Sequence, residues 1–125
     1  MKILHTSITV KNMDESISFY RDKLGFELLS RREIPENKAE IAFLGDRQSE
    51  HKLELTWWKE KKDWTTGDEL DHIALEVHDL TEAIERLRKA GVTIAKEPYS
   101  VSGSRSRIAF IKDPNGIWLE LIEHK

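Results

Sequence analysis

Four polar residues have the types and the spacing to do chemistry together. His5 and His72 each open an alternating apolar segment, and Glu54 and Glu120 each lie inside a Leu-Glu-Leu run. Because alternate side chains of a strand share a face, each Glu would project away from its two leucines, beside large side chains such as Trp118. An ionised carboxylate that is buried without a partner is costly, so such groups are normally paired or bind a metal. Each Glu is therefore predicted to have a partner.

These residues occupy equivalent positions of an internal repeat. From His5 to His72 the offset is 67 residues, and from Glu54 to Glu120 it is 66. The aligned segments are 5–17 with 72–84, 25–26 with 91–92, 42–44 with 109–111 and 53–55 with 119–121. Self-similarity at a nearly constant offset indicates that one structural unit occurs twice.

For any one of the four residues, the ordinary interpretation is a hydrogen-bonded core or surface side chain. Their recurrence in both copies favours one shared site, because nothing else requires the copies to be alike. Imidazole and carboxylate ligands without sulfur suit Zn, Ni, Co, Mn or Fe. From the residues alone, a metal site and ordinary polar side chains both remain open.

Each copy is predicted to fold as βαβββ. Asn12 and Asp79 are good helix N-caps, each with a Glu three residues later, and Gly25 and Gly91 are expected to end the two helices. Strands are predicted at 4–10, 26–31, 40–44 and 52–57 in the first copy, and at 72–77, 92–97, 107–111 and 117–123 in the second. Loops are predicted at 58–70 and, Ser-rich and flexible, at 99–106. The fold class is α+β.

Composition excludes several classes of function. The chain has 125 residues and a formal charge of −3, and its 20 Lys and Arg are interspersed with 23 Asp and Glu, which argues against nucleic-acid and membrane surfaces. It has no cysteine, hence no disulfide framework, Cys-based zinc site or thiol nucleophile. The sequence pattern indicates neither a membrane span nor a signal peptide, so a cytoplasmic protein is expected. A single domain is predicted over 1–125, with module 1 at about 1–60, a linker at about 58–70 and module 2 at about 70–125.

Several motifs carry a family resemblance. They are Leu-His-Thr at 4–6, the helix at 12–20 with Leu-Gly-Phe at 24–26, Leu-Glu-Leu-Thr at 53–56, the segment 67–77, Ile-Ala-Phe at 108–110, Asp-Pro-Asn-Gly at 113–116 and Glu-Leu-Ile-Glu at 120–123. Over essentially its whole length, the sequence resembles the vicinal oxygen chelate superfamily, and within it the bacterial glyoxalase I (lactoylglutathione lyase) type.

The resemblance implies an architecture and an assembly. Two βαβββ modules would form a half-open eight-stranded barrel, and two chains would form a homodimer. By resemblance, His5 and Glu54 of one chain meet His72 and Glu120 of the other around one divalent metal, so that a monomer has no complete site. The short chain is most similar to the nickel-activated class, with Zn²⁺ or Co²⁺ as alternatives.

The resemblance also implies a reaction. The hemithioacetal of methylglyoxal and a thiol would become an S-D-lactoyl thioester by proton transfer through a metal-bound enediolate, with Glu120 as the base and Glu54 as a possible symmetric partner. The Glu at position 54 favours this chemistry over superfamily members with three ligands, such as dioxygenases and fosfomycin-modifying transferases. It also differs from methylmalonyl-CoA epimerase, which usually has Gln there. A metal-free small-molecule binding protein is a further alternative.

The sequence departs from glutathione-using relatives at the positions expected to hold the thiol. Thr9 and Trp58 stand where those relatives commonly have Arg and Asn, and Ser102 lies near the position of a Lys. Arg105 and Arg107 of the late loop are candidates to bind an anionic end of the substrate, or are ordinary solvated charges. Glutathione and another low-molecular-weight thiol, such as bacillithiol, therefore both remain open.

Overall fold

Helix and strand bounds follow the repeat of the sequence. The computed structural model describes residues 1–65, 67 and 69–124. Chain contacts divide it into unit 1, Met1–Thr66, and unit 2, Gly67–Lys125. The linker predicted at 58–70 includes Thr66 and Asp68, which lie outside the described residues, and the assignment of the whole chain to a single domain stays a prediction.

Unit 1 forms a four-stranded mixed sheet with one helix. Its elements are β1 (His5–Thr9), α1 (Met13–Ser18) continued by a π-helical turn (Phe19–Lys23), β2 (Glu27–Ile34), a 3₁₀ turn (Pro35–Asn37), β3 (Ala39–Gly45) and β4 (Lys52–Trp58). The strand order is β1-β4-β3-β2, with β1 parallel to β4 and the other pairs antiparallel.

Unit 2 repeats this topology. Its elements are β5 (Ile73–Glu76), α2 (Leu80–Lys89), β6 (Thr93–Ser100), β7 (Arg107–Lys112) and β8 (Trp118–Glu123). The strand order is β5-β8-β7-β6, with β5 parallel to β8 and the other pairs antiparallel. The predicted α+β class and the βαβββ order of each half are confirmed.

Both predicted helix starts and stops are present. The side chains of Asn12 and Asp79 accept hydrogen bonds from the backbone N–H groups of Glu15 and Glu82, each at 3.0 Å. Gly25 and Gly91 follow the helices with φ of +81° and +83°, the left-handed conformation that glycine adopts without steric cost.

The late loop is shorter than predicted. β6 continues to Ser100 instead of ending at 97, because Tyr99 and Ser100 pair with Ile108 and Arg107 of β7. Pro98 is tolerated there because β6 is the edge strand of its sheet, where a missing backbone N–H is not required by a neighbour. The loop between β6 and β7 is thus 101–106 rather than 99–106.

Strand alternation separates the helix side of each sheet from the side that carries the site. Leu53, Leu55, Leu119 and Leu121 are buried, and the helices pack on the strands that carry them, α1 on β4 and α2 on β8. Each Leu-Glu-Leu run therefore directs its leucines toward the helix and its Glu toward the opposite face.

Candidate metal centre

In unit 1 the face away from α1 gathers the predicted polar residues. β1 and β4 are paired so that Ser7 lies opposite Glu54, and β3 and β4 so that Phe43 lies opposite Glu54. His5, two residues before Ser7, has the same orientation. The His5 ring meets the Phe43 ring edge-on, with centroids 5.2 Å apart at 81°. His5 and Glu54 thus flank one aromatic ring.

Unit 2 builds the same arrangement. Ala74 and Phe110 lie opposite Glu120 on the neighbouring strands. The His72 ring meets Phe110 edge-on, with centroids 5.9 Å apart at 82°. His72 Nε2 lies 3.0 Å from Glu120 Oε2, and these side chains are 34% and 15% exposed. The structure therefore brings the predicted ligand pair of this unit into direct contact.

The two phenylalanines are parts of the site that the sequence reasoning missed. Phe43 and Phe110 occupy equivalent positions of the repeat, 67 residues apart, like His5 and His72. That repeat was the sequence signal that could have identified them. Without it, an aromatic residue between aliphatic neighbours is normally interpreted as part of the hydrophobic core. In each sheet the ring limits the orientations of the imidazole that it contacts.

A carboxylate outside the predicted set orients His72. His72 Nδ1 lies 2.7 Å from Asp71 Oδ1. Because an ionised carboxylate only accepts, Nδ1 is the donor, and in the neutral ring Nε2 then carries the free lone pair that a metal requires. The hydrogen bond with Asp71 raises the pKa of His72 above its ordinary value of 6.5; partial burial opposes this rise and the charge of Glu120 adds to it.

The donor set and spacing in unit 2 fit a divalent cation. Two donor atoms that each lie about 2.1 Å from one octahedral ion, in adjacent positions, are about 3.0 Å apart. The separation of His72 Nε2 and Glu120 Oε2 is 3.0 Å. Among the described residues, no three His, Asp or Glu side chains within the chain form a metal-binding group. Each unit therefore contributes a pair of candidate ligands and not a full set.

Of the four predicted substrate-binding residues, two share the face of Glu54. Thr9 lies opposite Thr56 at the end of β1. Trp58 ends β4, is 38% exposed, and lies on the same face as Glu54 by strand alternation. Both therefore lie on the face of Glu54, at the C-terminal ends of their strands.

The two arginines are placed differently. Arg105 is exposed in the loop 101–106. Arg107 lies opposite Glu123 on the helix side of its sheet, 3.7 Å from that carboxylate, and donates to Thr81 of α2 at 3.4 Å. The structure does not bring Arg107 to His72 and Glu120. Arg107 is three residues before Phe110 in β7, so strand alternation places it on the face opposite that of Phe110 and Glu120.

Comparison with known proteins identifies the family. The sequence profile of the Glyoxalase/Bleomycin resistance protein/Dioxygenase superfamily matches residues 2–121. The chain belongs to this superfamily. The predicted superfamily is thereby confirmed, and the two βαβββ units of the structure agree with its fold.

Within this superfamily the chain is similar to several enzymes over its full length. It is 41% identical to the lactoylglutathione lyase of Haemophilus influenzae, covering 100% of this chain and 94% of that protein, and 40% identical to that of Escherichia coli O157:H7 with the same coverage. The structure is similar to a trypanothione-dependent glyoxalase I from Leishmania major, with a TM-score of 0.83, 35% identity and coverage of 98% of this chain and 86% of that one. It also matches glyoxalase I from Zea mays, with a TM-score of 0.87, 31% identity and coverage of 98% and 44%.

Within the part of the chain that the structure describes, no helix has the length and apolar character to cross a membrane.

Proposed function

We propose that the chain is a metal-dependent glyoxalase I that converts the hemithioacetal of methylglyoxal and a low-molecular-weight thiol to the S-D-lactoyl thioester. Full-length relatives named lactoylglutathione lyase support the reaction class. The observation that carries the proposal is the 3.0 Å approach of His72 Nε2 to Glu120 Oε2, on a sheet face whose counterpart in unit 1 presents His5 and Glu54.

The proposed metal ligands are His5 and Glu54 of one subunit with His72 and Glu120 of the partner subunit, in a homodimer. The repeat supports this set, because both copies carry one imidazole and one carboxylate on equivalent faces. Each chain offers two pairs, so a symmetric dimer has two sites. Ni²⁺ is the proposed metal, with Zn²⁺ and Co²⁺ as alternatives, since N and O ligands suit all three.

The chemistry requires removal of a proton bound to carbon. A divalent cation held by these four side chains would stabilise the negative charge that develops on the substrate, by several kcal/mol. Glu120 would take the proton from C1 and, as the carboxylic acid so formed, return it to C2. Such proton transfer contributes typically about 10²- to 10⁴-fold. Glu54, at the equivalent position of the repeat, is the alternative carboxylate for this transfer.

Aromatic side chains limit water beside the proposed base. Phe110 lies opposite Glu120, and Trp118, two residues before Glu120 on the same face, has its ring 5.4 Å from that of Phe110. Glu120 is only 15% exposed as a result. Exclusion of water strengthens electrostatic interactions with the reacting group.

The thiol of the substrate is proposed to be one other than glutathione, or to be glutathione bound by residues other than those of glutathione-using relatives. Thr9 and Trp58, on the face of Glu54, offer a hydroxyl and an aromatic surface in place of the Arg and Asn of glutathione-using relatives. Arg105, exposed in the late loop, is the remaining candidate for an anionic end. Arg107 is left out of this role because Thr81 and Glu123 already contact it. A structural relative that is trypanothione-dependent is consistent with varied thiols in this family.

The test is reconstitution of the metal-free protein with Ni²⁺, Co²⁺ or Zn²⁺, followed by an isomerase assay. Methylglyoxal is supplied with glutathione, trypanothione or bacillithiol in separate reactions, and thioester formation is recorded. Activity that requires metal and one of the thiols is expected. Metal binding without activity toward any of them would contradict the proposal and favour an epimerase or another reaction of the superfamily.

A further inference from the structure

The two proposed ligand carboxylates have different neighbours. Thr56, two residues after Glu54 on the same face, donates its hydroxyl to Glu54 Oε1 at 3.3 Å. Ser7, opposite Glu54 in the parallel ladder, has its Oγ 3.1 Å from Thr56 Oγ1. In unit 2 the equivalent positions are Ala74, opposite Glu120, and Ile122. Unit 2 therefore has no hydroxyl at either position.

The direction of these hydrogen bonds follows from their chemistry. A threonine hydroxyl has one proton, and an ionised carboxylate only accepts. Because Thr56 donates its proton to Glu54, it must accept from Ser7. The chain therefore runs from Ser7 to Thr56 to Glu54, and each donor aligns the next group.

Thr56 is well placed to hold a fixed position. The residue is only 7% exposed, and a β-branched residue has few χ1 rotamers. Its backbone pairs with Thr9 in the parallel ladder, and its carbonyl accepts the N–H of Val10 at 2.9 Å. The hydroxyl oxygen therefore moves little, although the contact of 3.3 Å is long and acts mainly on orientation.

We propose that Ser7 and Thr56 are positioning residues: a hydroxyl relay that holds the Glu54 carboxylate in the orientation needed to bind the metal. The inference rests on the proposed function, in which Glu54 is a ligand, and concerns how this chain prepares it. Groups that orient a metal ligand commonly change metal affinity by about 10- to 100-fold when they are removed.

The contrast with unit 2 assigns different behaviour to the two carboxylates. Among the described residues, the side-chain partner of Glu120 is His72 Nε2 at 3.0 Å. That nitrogen is itself a proposed ligand atom, and it cannot donate to Glu120 once its lone pair binds a cation. Glu120 then has no hydroxyl to retain it, so it is the carboxylate that is free to change position, whereas Glu54 stays in place.

The first experiment measures metal binding directly. The metal-free wild type and the variants Thr56→Val, Thr56→Ser and Ser7→Ala are titrated with Ni²⁺ in a calorimeter. Thr56→Val, which keeps shape and removes the hydroxyl, is expected to weaken Ni²⁺ binding about 10- to 100-fold, and Thr56→Ser is expected to restore it to within a few-fold of wild type. Ser7→Ala should weaken binding less, because it removes only the outer donor.

Ile122→Val is the matched control, since it changes the position in unit 2 that corresponds to Thr56. It should leave Ni²⁺ affinity within about twofold of wild type, because no hydroxyl is lost there. The relay is overturned if Thr56→Val binds Ni²⁺ as tightly as the wild type. It is also overturned if Thr56→Val and Ile122→Val lose Ni²⁺ affinity equally. This readout does not use activity, so it decides the relay even if the wild type binds Ni²⁺ and is inactive, a result that would contradict only the proposed function.

A double-mutant cycle separates positioning from a general structural effect. If Thr56 acts through Glu54, then Thr56→Val adds no further loss of Ni²⁺ affinity in a Glu54→Gln background. If Thr56 only supports the sheet, the two losses add, and the proposal is wrong. At saturating Ni²⁺ the kcat of Thr56→Val should return to within a few-fold of wild type with KM unchanged, since the relay acts on metal binding and not on the proton transfer.

Discussion

Units 1 and 2 have the same sheet topology and the same histidine, phenylalanine and glutamate on one face, yet their hydrogen bonds differ. In unit 1 the hydroxyl of Thr56 contacts the glutamate. In unit 2 Asp71 contacts the histidine, at a position that is Leu4 in unit 1. The repeat thus preserves the placement of the candidate ligands while their neighbours diverge. Equivalent positions in a duplicated fold therefore need not have equal chemistry.

The largest expected effect is on the two carboxylates, which the difference between the units predicts to have different roles. Glu120→Gln should remain folded and lose activity by about 10²- to 10⁴-fold, because the amide cannot accept the proton from carbon. Glu54→Gln should instead lose mainly metal affinity, because its carboxylate is the one held in place by Thr56. Steady-state kinetics at saturating metal and metal titration of both variants provide the measurement.

Near-normal turnover by Glu120→Gln would remove Glu120 from the mechanism. If Glu54→Gln and Glu120→Gln instead lost the same amounts of metal affinity and of kcat, the two units would be equivalent. The wild type, analysed with the same metal content, is the reference for both variants.

A smaller effect is expected for the aromatic rings. Phe43 has a ring contact with His5, whereas Phe110 has ring contacts with both His72 and Trp118. Since each such pair contributes about 0.5–1.5 kcal/mol, Phe43→Leu should lower the free energy of unfolding by about 1 kcal/mol and Phe110→Leu by about 2 kcal/mol. Denaturant unfolding of the metal-free proteins measures both, and equal losses would contradict the difference between the units.

The smallest effect is the pH dependence that Asp71 confers on unit 2. A partner that raises the pKa of His72 in the folded state stabilises the protein below about pH 6.5, and this contribution disappears as the pH rises through the folded-state pKa. Both side chains are substantially exposed, so Asp71→Asn should lower the free energy of unfolding by less than about 1 kcal/mol at pH 5.5.

Two measurements check this prediction on metal-free protein. Unfolding at pH 5.5 and at pH 8.5 should show a difference between wild type and Asp71→Asn only at the lower pH. An NMR titration of the His72 ring should show a lower pKa in the variant than in the wild type. A stability difference that grows with pH would have the wrong sign and would exclude the assigned cause.

Much of the fold was predictable from local patterns. The caps at Asn12 and Asp79 and the glycines at 25 and 91 lie where the sequence predicted them, because caps and left-handed turns depend on a few neighbouring residues. The bounds of β6 were not predictable, because its extension to Ser100 depends on pairing with β7.

The candidate site also has features that local patterns predicted and features that they did not. Alternation within a strand was enough to assign Glu54 and Glu120 to the face opposite the leucines, and the repeat connected them with the histidines. The contacts of Phe43 and Thr56 required strand register, which relates residues far apart in the chain. The position of Arg107 on the helix side of its sheet was not predictable, because loop composition does not reveal which face of a strand a neighbouring side chain takes.

By itself, the sequence determined the two βαβββ copies, the helix limits and the choice of residue types that can bind a divalent cation, because these depend on short-range periodicity and on side-chain chemistry. Tertiary structure alone decided that His72 meets Glu120, that each imidazole contacts a phenylalanine, and that a serine and a threonine orient only one of the two carboxylates. The physical reason is that strand register and sheet order bring together atoms separated by tens of residues, and no local pattern encodes those distances.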